Sequence, residues 1–428
     1  MKPQGPLVGH LILDISQWIA GPVGCALLSD MGAEVIKVEP IEGEATRYFD
    51  QAVPLESLAF ILFNRGKKSL PVDLSTPQGK EIVHRLVRKA DAAVVGHRPD
   101  IGSSLGVDYE TCAALNPRLV YCQTSAFGPE GPLADLAGFD IVVQAFSGLM
   151  VTNEGVTADG QPRPIVPAVA DFMTGAVIAW AVTAGLLARE RTGRGQKIEA
   201  SLLATALTMQ VGRFRYVEAL DHETLPTFLD KLAQARRDNR PWSEMLALRQ
   251  MVRPTPRTNI YYRAYRTSDS QIIVGCLNNG QRIQFLEATG LLDPRMVDGI
   301  LDFSLHLDEE EGAALMRSGE AVMASRSTNE WVATLRKRKV PAGPLRFPEE
   351  LLDDPQVSAN GLLSDLEHPL LGSYRTVAPP VRMSETPLSI QSTAPLFGAD
   401  THPILLDLGY SEAEIDRLTA QRVVAVRD

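Results

Sequence analysis

The chain of 428 residues predicts an α/β fold, a parallel sheet covered by helices on both faces, followed by a smaller α+β domain. Two observations carry the first part: short apolar runs alternate with helical stretches through the first half, and successive pairs have the spacing of β-α-β units. The second part rests on a change of character after Asp221, where the sequence turns polar and Pro-punctuated before a hairpin and further helices. The expected organisation is a large domain over 1–220, a linker and small domain over 221–345, and a segment over 346–428 that returns to the large domain.

Taken in order, 11–16 (LILDIS) reads as a buried strand, 21–33 as a helix whose small residues meet a sheet, and 34–39 (EVIKVE) as a second strand. Gly21 and Gly24 offer one G-x-x-G, a poor match to the dinucleotide fingerprint. Residues 70–74 (LPVDL) give a strand and 75–90 a helix, with Ser75 or Thr76 as cap, Pro77 in the first turn, and Ser75 and Gln78 at capping-box spacing. Residues 92–95 and 119–125 are strands, 108–115 a helix, and 127–138 a Gly/Pro loop. The stretch 192–203 turns on Gly193 and Gly195 into a strand, then a helix to about Leu220. Pro226, Pro241, Pro254 and Pro256 punctuate the linker, 259–277 is a hairpin turned at Ser268 and Asp269, 327–338 is a helix, and 340–345 (VPAGPL) is a loop.

Composition narrows the function. With 52 acidic against 42 basic residues, the net charge of −10 argues against a nucleic-acid surface, while leaving room for a local patch that holds a small anion. Cys25, Cys112, Cys122 and Cys276 stand apart from one another and the seven histidines are scattered, so neither a disulfide framework nor a metal site is expected. The opening stretch lacks the pattern of a secretory signal, and a cytoplasmic location is the expectation.

The longest apolar run, Phe172 to Ala188, holds seventeen residues without a formal charge and is preceded by Asp171. Its length sits at the lower edge of a membrane span, but its Ala and Gly content favours a buried core helix, and no membrane association is expected. An acid at that position is either a helix N-cap or a reagent.

Eight segments together resemble the family III CoA-transferases: 20–40 (AGPVGCALLSDMGAEVIKVEP), 64–83, 115–132, 138–150 (GFDIVVQAFSGLM), 169–175 (VADFMTG), 191–203, and more weakly 326–331 and 340–344. The resemblance implies a Rossmann-like large domain, an interlocked homodimer, and CoA transfer from an acyl-CoA to a small carboxylic acid, with coenzyme A a substrate and no permanently bound cofactor. It makes Asp171 the nucleophile, passing through a mixed anhydride and an aspartyl-CoA thioester, with backbone N–H groups stabilising each oxyanion. It also implies CoA contacts at Trp18, Ile19, Ala20, Pro40, Val72, Gly96, His97, Arg98 and Ser104.

The sequence departs from the family pattern at Gly96 and His97, where Asn-Phe is frequent, and at Ser104, where an Arg can stand. Arg98, Arg47, Lys67 or Lys68 are the candidates to supply the missing charge, and His97 is read as a packing residue. An α-methylacyl-CoA racemase would carry His in a G-H-D segment, and here that segment is Gly138-Phe139-Asp140. Phenylalanine carries no proton, so transfer is favoured over racemisation. A non-catalytic CoA-binding homologue is the third alternative, against which the presence of Asp171 counts.

Overall fold

Strands Leu11–Ile15 (β1), Glu34–Glu39 (β2), Lys67–Pro71 (β3), Ala92–Val95 (β4), Val120–Ser125 (β5) and Gln196–Ser201 (β6) form one six-stranded sheet in the computed structural model, which describes residues 5–153, 155–252 and 259–427. Every pairing is parallel and the strand order is β3-β2-β1-β4-β5-β6. The order reverses direction between β1 and β4. In doubly wound sheets a ligand crevice opens at that switch point, beyond the carboxyl ends of the strands.

Strand side chains alternate between two cores. Leu13, Ile15, Ala93, Val95 and Tyr121 pack against Ile82, Val83 and Leu86 of helix Pro77–Lys89. Ile404, Leu405 and Ile415, from helices Thr401–Asp407 and Glu412–Ala420, complete this face, so the C-terminal segment covers the sheet. On the other face Ile12, Val94, Val120 and Cys122 meet Cys25 and Leu28 of helix Ala20–Asp30 (α1), with Ile178, Val182 and Leu186 of the long helix Val169–Thr192.

The chain divides into two compact units, Met1–Ala247 with Ser358–Asp428, and Leu248–Val357. Helix Thr224–Arg237, in the stretch expected as linker and small domain over 221–345, therefore groups with the sheet. The smaller unit has its own sheet of Tyr262–Arg266, Gln271–Gly275 and Ala342–Pro344, with Tyr261, Tyr265, Ile272, Phe285 and Trp331 buried beneath it. Pro254 and Pro256 lie outside the described residues.

Several expectations are corrected. Strand β3 spans 67–71 rather than 70–74, because the side chains of Lys67 and Ser69 find buried partners in Asp14 and Glu39. No Ser75–Gln78 capping box forms; Thr76 accepts the Gly79 N–H, and the Ser75 hydroxyl donates to Asp73. The helix after β6 stops at Met209, well short of residue 220. The VPAGPL segment is no loop, since Ala342–Pro344 pairs antiparallel with Ile272–Val274 at the sheet edge, where a proline lacking an N–H is tolerated.

Gly24 and Gly175 let α1 and the long helix touch. A Cβ built on Gly24 would lie 2.8 Å from Ile178 Cγ2, and one on Gly175 would lie 2.9 Å from Val23 Cγ1. The small residues of α1 thus serve a helix-helix contact as well as the sheet. That contact sets Ala20, at the start of α1, and Asp171 around one cavity.

Candidate active site

The cavity lies at the switch point. It has a volume of about 230 Å³ and is walled by Gln17, Trp18 and Ala20 after β1, Gly96 and Arg98 after β4, Gln123 to Ala126 at the end of β5, the 128–139 loop, Glu199 on β6, and Asp171. A second cavity of about 190 Å³ lies beside it, with Gln17 common to both, and is lined by Pro40, Val72 and His97 at the ends of β2, β3 and β4. Of the expected CoA contacts, Trp18, Ala20, Gly96 and Arg98 line the first cavity and Pro40, Val72 and His97 the second. Ile19 and Ser104 line neither; the Ser104 hydroxyl donates to the Ile101 carbonyl within helix Pro99–Leu105.

Asp171 is the third residue of its helix, which begins at Val169, three residues before the apolar run. It is not the N-cap. That position belongs to Ala168, which has no side chain to offer, and the backbone N–H groups of Ala170 and Asp171 instead donate to Asp140 Oδ1 at 2.8 and 3.3 Å. Asp140 is buried at the start of helix Asp140–Phe146 (α2). Two of the first-turn N–H groups are therefore already taken by a carboxylate. Thr124 is a different kind of donor: its hydroxyl is buried in the cavity wall without a partner among the described residues.

The Asp171 carboxyl is pushed up to about 7, first by burial and then by the negative charge of Asp140. The helix dipole acts in the opposite sense, but at about 0.3–1 kcal/mol it is too small to restore an ordinary value. A carboxylate held near neutrality is a stronger nucleophile than a solvated one, while a substantial fraction of it stays ionised.

The turn between β1 and α1 is fixed from below by buried charge. Lys67 Nζ reaches Asp14 Oδ2 at 2.7 Å, the Pro22 carbonyl at 2.9 Å and Asn64 Oδ1 at 2.8 Å, and Lys37 Nζ donates to the Ser16 carbonyl at 2.8 Å. Burial would raise the Asp14 carboxyl, yet Lys37 and Lys67 outweigh it and hold it at about 2. Above this network Trp18 adopts a left-handed backbone, with φ of 71°, and its ring meets Phe139 edge to face.

The four candidate cations fall in different places. Lys67 is held within the Asp14 network, Arg47 is fully buried against Glu39, and Lys68 pairs with Glu34 at the opposite end of the strands. Arg98 alone of the four lines either cavity, and it also ties the 128–139 loop by donating to the Asp135 carbonyl at 2.7 Å. His97 is half-buried, and burial followed by the Lys37 charge lowers its pKa, so the neutral imidazole is favoured.

Sequence reasoning missed Gln17, Thr124 and Glu199. Their signal was positional, polar residues at the carboxyl ends of strands β1, β5 and β6. Among the described residues no group of His, Cys, Asp and Glu is arranged to hold a metal ion.

A six-stranded parallel sheet with a cavity at its switch point defines a doubly wound, Rossmann-like α/β fold. The chain belongs to CoA-transferase family III, whose sequence model matches residues 7–401. It is 32% identical over 425 residues to the succinyl-CoA:glutarate CoA-transferase of Mus musculus, covering 98% of this chain and 90% of that one. It is 33% identical over 423 residues to the succinate–glutarate CoA-transferase of Agrobacterium fabrum, covering 94% of this chain and 96% of that one. Among solved structures, a CaiB/BaiF family protein from Brucella suis superposes with a TM-score of 0.72 at 28% identity, covering 95% of this chain and all of the other.

Proposed function

We propose that this enzyme moves CoA from an acyl-CoA donor to a carboxylic acid acceptor through covalent intermediates on Asp171. The observation that carries the reading is the Asp171 carboxylate itself: raised to about 7, lining the cavity at the switch point, and free of any hydrogen-bond partner of its own among the described residues. Asp171 attacks the thioester carbonyl of the donor, forming a mixed anhydride and releasing CoA thiolate. The thiolate attacks the aspartyl carbonyl of the anhydride, giving aspartyl-CoA thioester and the free donor acid. The acceptor carboxylate then attacks the aspartyl thioester, and the released thiolate takes the acceptor's acyl group, which regenerates Asp171. The Thr124 hydroxyl is a candidate donor to the oxyanion of these steps.

CoA would lie across both cavities, its nucleotide toward Pro40, Val72 and His97 and its thioester toward Asp171, with Gln17 between them. Racemisation is disfavoured because Phe139, in the wall beside Asp171, has no proton to exchange. The relatives' named substrates make succinyl-CoA and glutarate the first donor and acceptor to assay. The reading requires thioester exchange with wild type and none with Asp171→Ala; α-proton exchange of a 2-methylacyl-CoA in deuterated buffer would instead identify a racemase.

The proposal includes a homodimer and a cytoplasmic location. Trp180 and Leu187 on the long helix are 71% and 57% exposed, and Phe146 and Phe214 are 57% and 63% exposed, apolar side chains that a partner subunit would cover. Light scattering is expected to give twice the chain mass, and a fully active monomer would refute the dimer.

A further inference from the structure

We propose that Asp140 is a positioning residue for Asp171: its carboxylate caps the long helix in place of a local residue and sets the surroundings of the nucleophile. The inference rests on the covalent role of Asp171 proposed above. An acid in the first turn of a helix ordinarily accepts N–H groups of that turn, a use that would neutralise it as a reagent. Here the turn is served from another helix. Asp140 Oδ1 takes the N–H groups of Ala170 and Asp171, so the Asp171 carboxylate need not fold back on its own backbone.

Asp140 is itself held in place. Gln144, one turn along α2, donates through Nε2 to Asp140 Oδ2 and to the Ile165 carbonyl at 3.0 Å, while its Oε1 accepts the Ile165 N–H at 2.9 Å. Gln144 is fully buried, and its contacts bind α2 to the segment that leads into the long helix. Asp140, Gln144 and Ile165 thus form a clamp around the first turn.

The bland alternative is that Asp140 is a cap and nothing more. Charge separates the two, because an amide keeps an acceptor oxygen for the N–H groups and loses the negative charge; its NH2 also loses the bond from Gln144 Nε2, a loss that Gln144→Met measures by itself. Around Asp171 the charged side chains are few. Asp140 comes from α2, while Glu199 on β6 and Arg98 after β4 line the cavity. The first turns of α1, helix Leu202–Met209, Thr124 and Ser125 on β5, and Phe63, whose ring meets Phe172, bring no charge.

The test measures steady-state transfer across pH for wild type, Asp140→Asn, Gln144→Met and Asp171→Ala, with a thermal melt of each. In Asp140→Asn the acid limb of kcat/KM is expected to move to lower pH, with turnover at the optimum down about tenfold because the nucleophile is less basic. In Gln144→Met, which loosens the clamp and keeps the charge, kcat is expected to fall with little change in donor KM and none in the acid limb. If Asp171→Ala is inactive while both clamp variants match wild type in kcat and pH profile, the positioning role is wrong and the covalent reading stands. Should Asp140→Asn fail to fold, Gln144→Met decides alone: an unchanged kcat overturns the inference. Transfer surviving in Asp171→Ala removes the reading beneath it.

Discussion

The edge of one ring meets the face of the other where Trp18 and Phe139 approach, with centroids 5.2 Å apart and planes at 77°. Both rings wall the cavity that holds Asp171, and they remain 39% and 53% exposed. Such a pair contributes about 0.5–1.5 kcal/mol beyond its buried area. Left-handed backbone at Trp18 costs roughly 1–2 kcal/mol, so the strain about cancels the ring contact. The turn keeps a tryptophan where glycine would be easier, which points to a role in shaping the cavity.

Trp18→Gly is therefore expected to change stability by less than about 1 kcal/mol, since strain and ring contact are lost together. It should raise the KM for the acyl donor severalfold. Trp18→Val keeps the strain, removes the ring pair, and is expected to cost about 1–2 kcal/mol. Urea titrations with donor KM measurements check both; an unchanged KM in Trp18→Gly would count against a substrate-shaping role.

Removing the Asp171 charge is expected to stabilise the protein at high pH. The folded carboxyl titrates at about 7 against 3.8 for the unconstrained group, so the folded state keeps a proton that the unfolded state has lost. The associated stability is present below the unfolded value, falls as pH rises through that interval, and is gone above about 7. Asp171→Asn escapes the penalty. After discounting for partial exposure it should gain on the order of 1–3 kcal/mol at pH 8 and almost nothing at pH 4. Denaturant unfolding at the two pH values measures the difference; an equal effect at both would refute the raised carboxyl.

Lys67→Met leaves Asp14 buried without its 2.7 Å partner, although Lys37 remains 3.4 Å away. Breaking a buried pair by removing one member costs about 3–5 kcal/mol, and the variant is expected near the lower end of that range. It should also loosen the β1–α1 turn through the lost bond to the Pro22 carbonyl. A loss below about 1 kcal/mol would show that Lys37 and the Ser16 donors together satisfy Asp14.

Gly24→Val forces a branched side chain into the contact with Ile178 and the Gly175 carbonyl. The helices must separate, and overpacking of this kind costs about 1–3 kcal/mol. Activity is expected to fall further than stability, because Ala20 and Asp171 share a cavity only while the helices touch. Parallel melts and transfer assays check the order of the two effects.

Strand β4 was legible to the residue because it is a continuous apolar run, and β2 because its apolar residues alternate. Strand β3 was displaced because its register depends on Lys67 and Ser69 finding buried partners, which a hydropathy pattern does not display. The strand at Ala342–Pro344 hid behind its Gly and Pro content, which an edge position tolerates. At the site, Asp171 was visible as the acid ahead of the apolar run. Asp140 entered only as a neighbour of Phe139, since a cap supplied from thirty residues away leaves no local spacing to read. Tertiary pairing of polar groups accounts for most of what the sequence pattern concealed.

The covalent role of Asp171 is tested most directly by mass spectrometry of the enzyme incubated with succinyl-CoA and quenched with hydroxylamine. The expected result is a hydroxamate on the peptide containing Asp171, dependent on the thioester and absent from Asp171→Asn. An unmodified Asp171 peptide under conditions of full turnover, or modification at another acid, would contradict it.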